Sequence, residues 1–167
     1  LMTGTTVEIH PPLFGYSDFF QNSVISGIAS EAMTEVGAQA WSEEDFAKSA
    51  EYLASYDVRM RNDLEEIVHT RYPQEQWTQR MEKPLDTAVC TFVPGSAPVI
   101  NAGSTDVGDV AYVTPTTYIF VACSCIAAPA HSWFWTSSVG SEIGQKGMVT
   151  AAKILALSCV KAIHDPD

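Results

Sequence analysis

Positive charge is scarce in this sequence. Lys and Arg number 9 against 20 Asp and Glu, a formal net charge of −11 over 167 residues. Nucleic-acid affinity comes largely from Lys and Arg contacts with phosphate, so DNA, RNA and anionic membrane surfaces are poor partners for such a chain. Long apolar runs are missing too, and none reaches the roughly 18 uninterrupted residues of a membrane-helix signature. The opening stretch Leu1 to Glu8 is polar and Thr-rich, without a basic region or an apolar core, and does not read as a secretory signal. Because it starts on Leu1 rather than Met, the sequence reads as cut from something longer. Four cysteines, Cys90, Cys123, Cys125 and Cys159, are too few for a small disulfide scaffold. Read as small buried apolar side chains, they fit a reducing cytoplasm. What is present is 46% apolar residues with 4 Trp, 6 Tyr and 7 Phe, enough for one core and so for one domain or part of a larger one.

Periodicity sets the expected elements. Thr3 to Ile9 is β-prone through Thr5 and Val7, and Pro11 and Pro12 would end it, which predicts a short edge strand and a connector. From Asn22, Ile25, Ile28, Ala32 and Val36 recur at helical spacing, with Gly37 as the stop. Ser42 before Glu43, Glu44 and Asp45 is a helix start, since its hydroxyl caps free N–H groups and the carboxylates sit at the positive end of the macrodipole. That helical pattern runs, in one or two pieces, to Arg71, where Pro73 interrupts it. Its acidic excess reads as a solvated face. Tyr72 to Ile100, with four prolines, reads as loop or short strand pieces. Tyr118 to Ser124 is nearly all apolar and predicts a strand buried on both faces. Met148, Ala152, Leu155, Cys159 and Ile163 step at four and three along a last helix. The sum is an α/β layer.

Few residues can carry chemistry. His69 and His164 read as solvent-facing. His131 follows the small-residue loop Ile126 to Ala130, which lies beyond the expected apolar strand, and it precedes Ser132-Trp133-Phe134-Trp135. A loop imidazole walled by two tryptophans suits a metal ligand or a general base, and equally a histidine satisfied by backbone. Asp106 and Asp109, three apart within Gly103 to Val110, are candidates for orienting a metal ligand, coordinating a cation or structuring the loop. Gly140 to Gly147 lacks the order of a phosphate loop, and no GxSxG nucleophile elbow occurs. No cysteine or histidine pairing matches a closed zinc site.

Four stretches, Asn101 to Val110, Val113 to Thr116, Pro129 to Trp133 and Gly144 to Lys153, closely resemble the C-terminal end of the aminobenzoyl-glutamate utilisation protein B group. These are amidohydrolases of the dinuclear-zinc peptidase family that includes aminoacylases. Leu1 to Glu8 looks like the last strand of that family's inserted lid domain, and the start of the Trp41-Ser42-Glu43-Glu44 helix also recurs in the group. The resemblance implies the C-terminal part of a three-layer α/β/α zinc-peptidase domain. Residues 1–12 would end the lid or dimerisation domain, and residues 13–167 would form the C-terminal part of the catalytic domain. It also implies two divalent ions, zinc or manganese, a metal-bridging water that attacks the amide of an N-acyl amino acid such as aminobenzoyl-glutamate, and a homo- or hetero-oligomer. His131 occupies the position of the family's last metal-ligand histidine. Asp106 and Asp109 match the motif without being made ligands by it. Ala130 stands where the group has glycine, and Gln145 where it commonly has histidine. The family's other metal ligands and its catalytic glutamates fall outside this sequence, so the chain alone is expected to be inactive. A non-catalytic truncated copy acting as an interaction or partner subunit is the alternative, and an independent metal site of His131 with Asp106 or Asp109 is a third.

Overall fold

The computed structural model describes residues 3–10, 15–92 and 105–164. Among them seven helices form: α1 (Ser23–Val36), α2 (Glu43–Ala54), α3 (Val58–Arg71), α4 (Gln74–Glu82), α5 (Val107–Ala111), α6 (Trp133–Val139) and α7 (Glu142–His164). The local reasons are legible at most boundaries. The Asn22 side chain accepts from the Val24 and Ile25 N–H groups at 3.1 Å, and Gly37, at φ 76°, ends α1 in a conformation only glycine adopts cheaply. At α2, Ser42 and Asp45 cap each other reciprocally. The Asp57 carboxylate accepts from the Met60 N–H at 2.8 Å and starts α3, so the long helical pattern is indeed two pieces.

The main core lies along α3. Met60, Leu64, Val68 and Tyr72 step at four and turn one stripe inward, joined by Tyr56, Leu85, Cys125, Ile126 and Ile143. Two hydrogen bonds fix the chain around 126 to this core: the Tyr56 hydroxyl donates to the Ile126 carbonyl at 2.6 Å, and the Ile126 N–H donates to the Pro84 carbonyl at 2.8 Å. Elsewhere α1 packs along α7 through small buried residues, Ser26, Ala29 and Ala32, and Lys161 reaches back to Glu31 and Glu35 at 3.6 and 3.2 Å. By length and composition α7 is apolar enough to cross a membrane, though Lys146, Lys153 and Lys161 punctuate it.

The expected α/β fold is overturned, because the described residues contain no strand and no sheet. Thr3 to Ile9 lies exposed without a ladder, Val7 at 86% and Ile9 at 84%. Tyr118 to Ser124 is likewise unladdered, and Phe120 is 74% exposed. A β-prone run states which side chains suit a sheet; a strand exists only where a second segment runs alongside to take its N–H and C=O groups. Here the neighbours are helices and loops. Around that run the long-range bonds are scattered rather than laddered, such as those from the Asn22 N–H to the Thr116 carbonyl at 2.9 Å and from Gln39 Nε2 to the Ala122 carbonyl at 2.6 Å. Pro73 does interrupt the helical pattern, since α3 ends at Arg71, but the stretch from Tyr72 read as loop or strand pieces holds helix α4, which Pro73 caps, as fits a residue whose missing N–H is no loss at a helix start. Pro11, Pro12 and the domain division after residue 12 fall at residues 11–14, outside the described residues.

The last helix also turns differently from its periodicity. It begins at Glu142, and its buried positions are Ile143, Gly144, Gly147 and Ile154. The stripe read as its core face is outward: Met148 is 65%, Leu155 55% and Ile163 75% exposed. Small residues won the inner face because they let backbones approach. A Cβ on Gly144 would stand 2.3 Å from the Val139 carbonyl oxygen, and one on Gly147 would stand 2.5 Å from the Ala122 carbonyl oxygen.

Candidate functional site

The loop from 127 to 131 hangs from the core through Ile126. Ala127 (φ 61°) and His131 (φ 55°) are its two left-handed non-glycine residues. That conformation is uncommon for side chains with a Cβ, and histidine is among those that enter it more readily. Local bonds hold the loop closed: the Ala128 N–H donates to the Cys125 carbonyl at 3.1 Å, Trp135 Nε1 donates to the Ala128 carbonyl at 3.0 Å, and the Ser132 hydroxyl donates to the Pro129 carbonyl at 2.6 Å. Helix α6 then splits its aromatic run. Phe134 turns inward against Tyr52 and Tyr56, with ring centroids at 6.3 and 5.6 Å, and this anchors the helix. Trp133 and Trp135 are left outward, 87% and 38% exposed.

The result is an open groove of about 500 Å3 lined by His131, Ser132, Trp133, Trp135, Thr136 and Val139. A separate polar contact lies between α2 and α7. Lys146 Nζ donates to Asp45 Oδ2, a carboxylate only 2% exposed. Burial drives the Asp45 carboxyl upward, but the bonds from Lys146 and Ser42 outweigh it and hold the group below its ordinary value. This pair ties the start of α7 to the start of α2. Sequence reasoning read Asp45 only as a helix-start carboxylate and Lys146 only within a glycine-rich run; the signal that set them apart was Lys146 standing between two motif glycines.

Asp106 and Asp109 belong to another corner. Asp106 is the exposed residue preceding α5 and makes no side-chain cap. Asp109 Oδ1 accepts from the Ser17 N–H at 2.9 Å, and the bonds from Ser17 hold its carboxyl below the ordinary range. Gly108 makes this contact feasible, since a Cβ there would lie 2.0 Å from the Ser17 carbonyl oxygen. Neither aspartate lines the His131 groove, so the structure does not bring the three candidates together. Among the described residues no three His, Cys, Asp or Glu side chains converge as a metal site. A pair of divalent ions therefore does not fit the donors present: His131 is one imidazole, and one ligand cannot hold two cations.

The thiols divide by burial. Cys125 is buried and its thiol is pushed up to about 12 by that burial, whereas Cys90 and Cys159 are exposed and Cys123 is intermediate. The expectation that all four sit inside holds for Cys125 alone. His69 is exposed yet stacks on Trp77, with ring centroids at 4.0 Å.

No protein-family model matches the chain, and no solved structure matches it. Among curated proteins it is similar to one of the subunits of the p-aminobenzoyl-glutamate hydrolase of Escherichia coli (strain K12), 30% identical over 168 aligned positions. The match takes in 99% of this chain and 34% of that protein, so the chain spans about a third of the relative's length. The likeness first read from four motifs thus runs along nearly the whole sequence, and it is a likeness to one portion of a hydrolase polypeptide.

Proposed function

We propose that this chain serves a metal-dependent amidohydrolase acting on the amide of an N-acyl amino acid such as aminobenzoyl-glutamate. In this reading His131 supplies one ligand to its zinc or manganese. The observation that carries the reading is the 30% identity maintained over 99% of the chain to a subunit named for p-aminobenzoyl-glutamate hydrolysis. The exposed, left-handed His131 in its groove supports it, because strained backbone persists where the surroundings enforce it and is concentrated at functional positions. The remaining ligands come from polypeptide that the described residues do not include, so the 167-residue chain does not turn over substrate by itself. The relative's designation as a subunit supports an oligomeric setting. Free thiols throughout support a reducing compartment.

The test has two arms. The chain alone, given aminobenzoyl-glutamate with zinc or manganese, should release no product above the protein-free control. A hybrid in which these residues replace the matching third of the Escherichia coli protein, produced with that protein's own partners, should hydrolyse the substrate and lose the activity on His131→Asn. A folded hybrid without activity, or one indifferent to His131→Asn, overturns the reading.

A second reading, a non-catalytic partner subunit, is favoured by one observation, the bare apolar stripe of α7 through Met148, Leu155 and Ile163. Stable co-elution of the chain with the Escherichia coli hydrolase, without any change in turnover, would establish it in place of the first.

A further inference from the structure

The groove beside His131 holds more aromatic surface than the fold uses. Trp133 is 87% exposed, and among the described residues neither Trp133 nor Trp135 packs its ring on another aromatic, whereas Phe134 between them does so twice. Indole is the costliest side chain to leave in water, and its face prefers another π system in offset or edge contact. The polar lining is equally selective. The Ser132 hydroxyl proton is spent on the Pro129 carbonyl at 2.6 Å and that of Thr136 on the Ser132 carbonyl at 3.3 Å, so what their oxygens still offer is lone pairs. Among the described residues no Lys, Arg, Asp or Glu lines the groove, and His131 is its one ionisable side chain. Its volume, about 500 Å3, lies within the range of small-molecule sites.

We infer that this groove takes the aromatic ring of an N-aroyl amino acid. The ring lies against the Trp133 and Trp135 indoles, and a ring amino group donates to the Ser132 or Thr136 oxygen. The inference rests on the hydrolase reading for the amide that joins ring to amino acid, but the recognition of the ring is this chain's own. An aliphatic acyl group has no π face to offer, so the groove selects the aroyl end.

The experiment titrates the 167-residue chain with p-aminobenzoyl-glutamate and with acetyl-glutamate, followed by indole fluorescence and by saturation transfer to the ligand's protons. The aroyl compound should quench indole emission and receive saturation on its ring protons more than on its glutamyl protons, while acetyl-glutamate does neither. Trp133→Ala should weaken binding about fivefold to tenfold, and Trp133→Phe, which keeps a ring, by less. Trp77→Phe, outside the groove, should leave it unchanged. Equal binding of the two compounds, no binding of either, or unchanged affinity in a Trp133→Ala chain with wild-type circular dichroism overturns the inference. The two readings fail separately. A hybrid enzyme that cleaves both substrates alike regardless of Trp133 removes the ring assignment and keeps the hydrolase reading; ring binding by the chain with an inactive hybrid does the reverse.

Discussion

Replacing Lys146 by Met tests whether the α2–α7 tie is an ion pair in a low-polarity setting or a surface ornament. Asp45 is 2% exposed while Lys146 keeps 35% of its side chain in water, so the pair is buried at one end only. Removing one partner of a fully buried pair costs about 3 to 5 kcal/mol, chiefly through the charge left behind. Here the orphaned carboxylate retains the Ser42 N–H at 2.7 Å and the Ser42 hydroxyl at 3.0 Å. Those two donors lower the expected loss to about 2 to 3 kcal/mol at neutral pH. The reverse change, Asp45→Asn, lets the half-exposed ammonium relax into water and should cost only about 1 kcal/mol, mostly through a weaker cap.

Acid separates the two explanations further. In the native chain the Asp45 carboxyl titrates below its ordinary 3.8, so its stabilisation is complete above 3.8 and is lost as pH falls through the lower folded value. In Lys146→Met the hydrogen bond and charge of Lys146 no longer hold the carboxyl down against burial, so it titrates higher than in the native chain and the penalty fades as acidification neutralises the group. Urea unfolding of both chains, followed by far-ultraviolet circular dichroism at about pH 7 and well below pH 3.8, should show the gap between them shrinking in acid. A gap that is equal at both pH values, or below about 0.5 kcal/mol at neutrality, refutes the reasoning.

Other outcomes follow from single contacts. Leu64, fully buried at the centre of the α3 stripe, should cost about 2 to 5 kcal/mol when cut to Ala, read by the same urea transition. Gly147→Ala forces a methyl against the Ala122 carbonyl and should destabilise by about 1 to 3 kcal/mol, whereas Gly27→Ala, with open space around it inside α1, should stabilise by about 0.5 to 1 kcal/mol. Aromatic disulfide reagent at mildly alkaline pH should label Cys90 and Cys159 promptly and leave Cys125 unreacted until the chain unfolds, because burial holds its thiol protonated. The outward stripe of α7 should bind anilinonaphthalene sulfonate, and Leu155→Lys with Ile163→Lys should reduce the dye's emission without loss of helix signal.

Helices announced themselves because their signals are local. Asn22, Gly37, Ser42 and Asp57 act on backbone groups within four residues, so the boundaries of α1, α2 and α3 could be read, or nearly read, from neighbours alone. Helix α4 escaped because Pro73 is ambiguous between a stop and a first-turn residue. The two expected strands failed for a non-local reason: Tyr118 to Ser124 has sheet-loving side chains, but pairing depends on a second segment that no residue within the run specifies. Helix α7 shows the same limit in reverse. Its apolar residues circle the axis, so periodicity could not say which side packs, and the glycines at 144 and 147 decided it by permitting close backbone approach. At the site, the position of His131 next to two tryptophans was legible from residue types. The separation of Asp106 and Asp109 from it was not, because proximity between 109 and 131 depends on how Ser17 draws the α5 turn away.

The positive φ of His131 bears on how its chemistry can be dissected at all. Alanine, the usual neutral probe, would forfeit the ring and simultaneously resist a backbone shape worth about 1 to 2 kcal/mol to an ordinary residue, so one lost signal would report two events. Asparagine and glycine settle into that shape with little protest and differ in what they offer to a ligand. The pair therefore works as a ruler: whatever Asn and Gly lose in common belongs to the missing imidazole, and whatever Ala loses beyond them belongs to the bend in the chain.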